Sequence, residues 1–220
     1  MTQTIIIVAG GRGTRMKSDI PKQFLLLDGK PVLMQTMEAF VEFDPDIRMI
    51  LVLPEDQYAY WDELCDEHSF SLNYQKVAGG LTRFESVKNG LSAAPDKGLI
   101  GVHDGVRPFI HPDTIRRIYQ DAEEFGNAIP AIPPTESVRV ETKDSNHIVD
   151  RNSVRLIQTP QVFQAKDLKE AYNQQYQNTF TDDASVIEAA GHKIHLIKGQ
   201  EGNLKITTKE DLGLGDSVTR

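Results

Sequence analysis

Three glycines and two arginines fall within six residues, Gly10-Gly11-Arg12-Gly13-Thr14-Arg15, and Pro21-Lys22-Gln23 follows closely. The apolar run Thr4 to Val8 in front of them reads as a strand, so the glycines stand at a strand's carboxyl end. There the backbone can approach a ligand without a Cβ in the way, and its freed N–H groups can face phosphate oxygens. A tight turn that binds nothing would use the same glycines, and a solvated loop the same cations. The ATPase phosphate loop needs Gly-Lys-Ser/Thr after four spacers, and the dinucleotide fingerprint needs a further glycine; this stretch has neither. Four basic residues, Arg12, Arg15, Lys17 and Lys22, lie here beside one acid, Asp19, in a chain whose net charge is −8. Positive charge is therefore concentrated where phosphates would sit.

A second residue at a strand's end is Asp104, after the run Leu99 to His103. Open α/β sheets place ligands at that edge, although an aspartate there can also simply cap a loop. The six histidines include no His-Glu-x-x-His and no zinc spacing, so they read as structural. Asp182-Asp183 precede a helical run and read as first-turn acids that complement the helix dipole. Cys65 has no basic neighbour in sequence and reads as inert packing.

The elements that must position these residues alternate. Apolar, β-branched runs at Thr4 to Val8, Ile47 to Leu53, Leu72 to Val77, Leu99 to His103 and Ala128 to Ile132 are separated by stripes at helical spacing. The stripes are Leu33, Met37, Phe40, Val41; Phe84, Val87, Leu91, Ala94; and Ile115, Ile118, Ala122, Phe125. That pattern predicts an α/β, Rossmann-like fold with a mostly parallel central sheet flanked by helices. Thr82 with Glu85 has the spacing of a helix-starting capping box, and Thr208 with Asp211 is a looser version of it. Pro133-Pro134 break the alternation, and Ser137 to Glu141, a polar turn at Lys143 to Asn146, and Ile148-Val149 predict an inserted β-hairpin over 133–153. A hairpin has too little core to stand alone, so it either folds back or reaches a second chain; its few apolar residues favour a dimer arm. No repeat or linker divides the chain, and one domain over 1–220 is expected.

Composition narrows the function classes. Lys and Arg number 24 against 32 Asp and Glu, which argues against a nucleic-acid partner, since duplex binding draws on a basic face. The apolar start is too short for a signal-peptide core or a membrane span, so no membrane partner is expected. One cysteine cannot close an intramolecular disulfide, which suits a reducing, cytoplasmic setting.

Gly-Gly-x-Gly-Thr-Arg-Met followed by Pro-Lys-Gln resembles the glycosyltransferase-A-like nucleotidyltransferases of sugar and alditol phosphates. Gly79-Gly80 with Arg83 and Ser86, His103-Asp104 through Pro108, Val149-Asp150-Arg151-Asn152, Gln158-Thr159-Pro160-Gln161, Thr181-Asp182-Asp183 and Asn203-Leu204-Lys205 narrow the likeness. In that order, over almost the whole chain, they resemble the 2-C-methyl-D-erythritol 4-phosphate cytidylyltransferases. D-ribitol 5-phosphate cytidylyltransferases share the glycine loop, Pro-Lys-Gln and Asn-x-Lys, but Val149 to Asn152 is closer to the former. A chain of this kind that only bound CTP would have no need of transition-state cations.

The resemblance implies attack by a phosphate-monoester oxygen on the α-phosphorus of CTP, with Mg²⁺ bridging the phosphates. It places Arg15 and Lys22 as catalytic cations flanking the triphosphate. The CTP site is implied to be Ala9, Gly10, Gly11, Gly13, Gly80, Ser86 and Asp104, with Asp104 also the candidate metal ligand. For the alditol phosphate it implies Asp104, Arg107, Ser137, Arg151, Thr159, Thr181 and Lys205. Arg151 and Lys205 position it for attack, and a homodimer's arm completes each site. A hairpin salt bridge to Asp150 or Glu141 is the plainer use of Arg151. Two departures touch substrate packing alone: Ser137 stands where threonine is more usual, and Gly105-Val106 replaces the commoner small pair after Asp104.

Overall fold

The computed structural model describes residues 1–10 and 20–213. Its elements in chain order begin with β1 (Gln3–Val8), β2 (Leu26–Leu27), β3 (Lys30–Pro31), α1 (Val32–Phe43), β4 (Arg48–Leu53), α2 (Tyr58–Glu67), β5 (Gln75–Ala78), α3 (Arg83–Ala93) and β6 (Leu99–Asp104). They continue with α4 (Pro112–Phe125), β7 (Asn127–Ile132), β8 (Val138–Glu141), β9 (Asn146–Val149), β10 (Leu156–Ile157), β11 (Gln161–Gln164), α5 (Ala165–Ala171), α6 (Asp183–Ala189), β12 (Leu196–Lys198) and α7 (Lys209–Leu212).

Among the described residues the main sheet has eight strands in the order β10-β7-β11-β6-β1-β4-β5, with β12 also on β7. β6, β1, β4 and β5 run parallel. The expected α/β class with a mostly parallel centre is thus present, but the sheet is mixed. β11 inserts antiparallel between β6 and β7, a strand that four residues with little β-branched pattern do not announce.

Successive strand side chains point to opposite faces, so a strand covered on both sides must be apolar throughout. In β1, Ile5, Ile6 and Ile7 are all fully buried. Ile5 and Ile7 join the layer under α1, α2 and α4, while Ile6 joins the layer under α3, α5 and α6. Two expectations shift. Phe125, at the end of the α4 stripe, is exposed and stacks on His195 at 5.3 Å, because α4 terminates at Gly126 with φ +87° just beyond it. Pairing of β5 with β4 begins only at Gln75, since upstream Leu72 and Tyr74 pack inward and the Tyr74 hydroxyl accepts from Trp61 Nε1 at 2.8 Å. The hairpin β8–β9 forms where expected and pairs with no other strand among the described residues.

Candidate active site

In the parallel part of the sheet the chain steps from β1 to β4 and β5, and later returns to the other side of β1 with β6. A crevice opens at such a reversal, beyond the strands' carboxyl ends. A cavity of about 600 Å³ lies there, lined by Val8, Ala9 and Gly10 after β1, Pro54 after β4, Gly80 to Arg83 after β5, and Asp104 at the end of β6, together with Lys22, Gln23, Ser86, Val106 and Lys205. Val8 and Asp104 are register partners, so the two loops leave the sheet side by side.

Local structure sets each wall. Ala9 N–H continues the β4 ladder to Val52 O at 2.9 Å, and Ala9 O accepts from the buried Gln23 Nε2 at 2.8 Å. Thr82 caps α3, and its capping box with Glu85 forms as expected. Ser86 Oγ accepts Gly80 N–H at 3.1 Å and donates to Thr82 O at 2.9 Å, closing the Gly80 loop onto the helix. At Gly80 a Cβ would overlap the Glu85 side chain, so the loop tolerates no larger residue in this conformation.

Charge is organised around Asp104. Its Oδ2 receives Lys205 Nζ at 2.9 Å and Arg107 Nε at 3.2 Å, and Arg83 Nε lies 3.7 Å from Oδ1. Burial alone would raise its pKa, but Arg83, Lys205 and Arg107 outweigh that and hold the carboxyl well below the usual range. Arg83 is itself gripped by Asp183 through two hydrogen bonds of 3.0 and 2.6 Å, and Tyr172 donates to the same carboxylate at 2.6 Å. Burial would lower the guanidinium's pKa, but Asp183 and Asp104 keep it firmly protonated. Two acids thus face Arg83, Arg107 and Lys205, with Lys22 on the same wall, and the cavity is built for an anion.

Of the residues expected here, Ala9, Gly10, Lys22, Gly80, Ser86, Asp104 and Lys205 line the cavity. Arg107 sits against Asp104 and donates to Asn203 O at 2.9 Å. Thr159 is buried beside Asp104 rather than on the wall, and its hydroxyl accepts Asp104 N–H at 3.1 Å. Thr181 is exposed just before α6. Ser137 and Arg151 lie apart from the cavity, around a shallow hollow of about 250 Å³ on the hairpin, where Arg151 donates to Thr135 O at 3.0 Å; neither predicted salt bridge of Arg151 forms. Gly11, Gly13 and Arg15, with Arg12 and Lys17, lie outside the described residues.

Two site residues were not foreseen in their roles. Arg83 is the cation that joins the Gly80 loop to Asp104; its place beside Gly79-Gly80, one residue after a cap, marked the residue but gave it no role. Asp183 is no mere dipole partner: it is fully buried on Arg83, while Asp182 is the true cap of α6, bonded to Ser185 N–H at 2.9 Å. Cys65 fits the inert reading, since burial pushes its thiol pKa up.

Residues 3–220 match the family model described as IspD: 2-C-methyl-D-erythritol 4-phosphate cytidylyltransferase. The chain belongs to that family. Proteins named 2-C-methyl-D-erythritol 4-phosphate cytidylyltransferase from Bacteroides thetaiotaomicron and Phocaeicola vulgatus are 50% and 51% identical to it, over 99% and 98% of this chain and 100% and 99% of theirs. The solved cytidylyltransferase of Thermus thermophilus superposes with a TM-score of 0.80 at 28% identity, each chain fully covered. A bifunctional IspDF from Campylobacter jejuni gives 0.82 at 29% identity, and 97% of this chain spans 54% of that longer one. With these structures the chain shares the Rossmann-like fold, a mostly parallel sheet flanked by helices. Among the described residues no helix is long and apolar enough to cross a membrane.

Proposed function

We propose that this cytidylyltransferase joins CTP and 2-C-methyl-D-erythritol 4-phosphate to give 4-diphosphocytidyl-2-C-methyl-D-erythritol and pyrophosphate, a step of non-mevalonate isoprenoid precursor synthesis. The observation that carries the reading is the buried Asp104 held among Arg83, Arg107 and Lys205 at the mouth of β6, in a chain of this family. A phosphate-monoester oxygen of the alditol attacks the α-phosphorus of CTP; the new P–O bond forms as the bond to the β-phosphate breaks, and pyrophosphate carries the electron pair away. Both substrates are anions, so catalysis rests on positioned cations rather than a nucleophilic side chain.

Ala9, Gly10, Gly80 and Ser86 supply the nucleotide wall, and the family resemblance assigns Gly11 and Gly13 to CTP as well. Lys22 and Arg15 stabilise charge on the triphosphate, and Lys205 and Arg107 orient the alditol phosphate. For the metal, the donor set suits Mg²⁺ only in company with phosphates, because among the described residues no three His, Cys, Asp or Glu gather. Asp104 would hold it, and Mg²⁺ would neutralise phosphate charge. The free, partly buried Cys65 suits a reducing compartment, in keeping with a cytoplasmic enzyme.

Ser137 and Arg151 act on a neighbouring copy's substrate in this reading, since both stand apart from their own cavity on a hairpin with exposed Val140 and Ile148. The enzyme is then a homodimer through its 133–153 arm. Arg151→Ala is expected to raise KM for the alditol phosphate and lower kcat while leaving KM for CTP near its wild-type value. Mixing Lys22→Ala with Arg151→Ala chains restores part of the activity, because heterodimers hold one intact composite site. Steady-state assays of both substrates and of proven heterodimers check this; no recovery would leave the arm serving its own chain. Pyrophosphate release on mixing CTP with the alditol phosphate tests enzyme against binder, and CTP binding without release would leave only a nucleotide-binding module.

A further inference from the structure

His103 is the last residue before Asp104, fully buried, and its ring packs edge-on against Phe40 at 4.9 Å. Both its nitrogens are engaged. Nε2 lies 3.2 Å from Arg107 O, which can only accept, so Nε2 carries the proton. Nδ1 is then the acceptor for the Thr159 hydroxyl at 3.0 Å, and the same hydroxyl oxygen accepts Asp104 N–H at 3.1 Å. Between these two anchors runs a tight turn closed by Arg107 N–H on Asp104 O at 3.2 Å. The chain of bonds is continuous: Asp104 N–H to Thr159, Thr159 to His103, and His103 to Arg107 O. It holds both ends of the turn that presents the Asp104 carboxylate and the Arg107 guanidinium.

We propose that His103 and Thr159 are positioning residues that clamp the Asp104–Arg107 turn for catalysis, Thr159 acting through this clamp rather than by touching substrate. The assignment rests on the cytidylyltransferase reading. Thr159 is only 5% exposed, and its one hydroxyl proton is committed to His103, so it has none to offer an anionic substrate. A preorganised charged pair loses its value when its backbone drifts, because small misplacements of positioning groups cost large factors in rate.

The test is a double-mutant cycle on Thr159→Val, which keeps shape, and His103→Phe, which keeps an aromatic ring against Phe40; both remove the hydrogen bonds. Each is expected to lower kcat about tenfold with KM for CTP little changed, and the double variant falls no further than either single one, as for residues of one network. Thr159→Ser, which keeps the hydroxyl, recovers most of the loss. Independent, additive effects, or a rise in the alditol phosphate KM with Thr159→Val alone, would make Thr159 a direct substrate ligand and overturn the clamp. If a variant fails to fold, ¹⁵N NMR of wild-type protein decides: an Nε2-protonated His103 is expected, and an Nδ1-protonated ring contradicts it. Wild-type protein that releases no pyrophosphate would sink the enzymatic reading, while the NMR result still judges the clamp.

Discussion

Lys22→Ala lowers kcat by about 10²–10³-fold while the fold stays intact, the scale seen when one preorganised stabiliser of transition-state charge is removed. Lys22 opens the short helical turn Lys22–Phe24 on the cavity wall. Its neighbours are fixed for reasons of their own. Gln23 is 1% exposed and donates to Ala9 O and to Gln57 Oε1, both at 2.8 Å. Phe24 is buried between Trp61 and Tyr60, with ring centroids 6.0 and 5.3 Å away. The backbone that carries the ammonium group is therefore held before substrate arrives, which is the condition for a cation to favour the transition state over the ground state. Single-turnover kinetics with circular dichroism on the same sample checks this. Near-wild-type turnover would remove Lys22 from the mechanism.

Asp183→Asn is expected to destabilise the protein by about 3 kcal/mol, the lower end for breaking a buried ion pair, because Arg83 keeps partial access to water. Asp183 is fully buried and carries both hydrogen bonds to Arg83 and the one from Tyr172. The pair joins the first turn of α3 to that of α6, so its loss loosens the Gly80 wall and the Thr181 segment together. For a chain of this size that cost lowers Tm by roughly 6–12 °C. Tyr172→Phe removes one hydrogen bond to the charged carboxylate and keeps the stack on Phe84 at 4.7 Å, and is expected to cost about 1.5 kcal/mol. Urea unfolding of both variants gives the comparison; equal, small effects would make the ion pair a bystander.

Parts of this site are readable from residue order because their chemistry is local. Gly10 after β1, a cap at Thr82 and an acid at the end of β6 each declare themselves within a few residues, and the parallel sheet brings them to one edge. The main α/β alternation is legible for the same reason, since buried parallel strands are apolar throughout. What is not legible depends on contacts distant in sequence. Arg83 meets Asp183 across 100 positions, and His103 meets Thr159 across 56, so neither partnership has a spacing to detect. β11 is likewise defined by its neighbours β6 and β7 rather than by its own four residues. Phe125 shows the opposite error: a helical stripe continues in sequence for one residue beyond the part of α4 that the core covers.

The central claim is a cytidylyl transfer to a particular alditol phosphate, and the most direct measurement is Mg²⁺-dependent pyrophosphate release with CTP. 2-C-methyl-D-erythritol 4-phosphate and D-ribitol 5-phosphate are compared at matched concentrations, with UTP replacing CTP as the control. Strong release with the first, little with the second and little with UTP is the predicted result. Preference for ribitol phosphate, or silence with both, would contradict it.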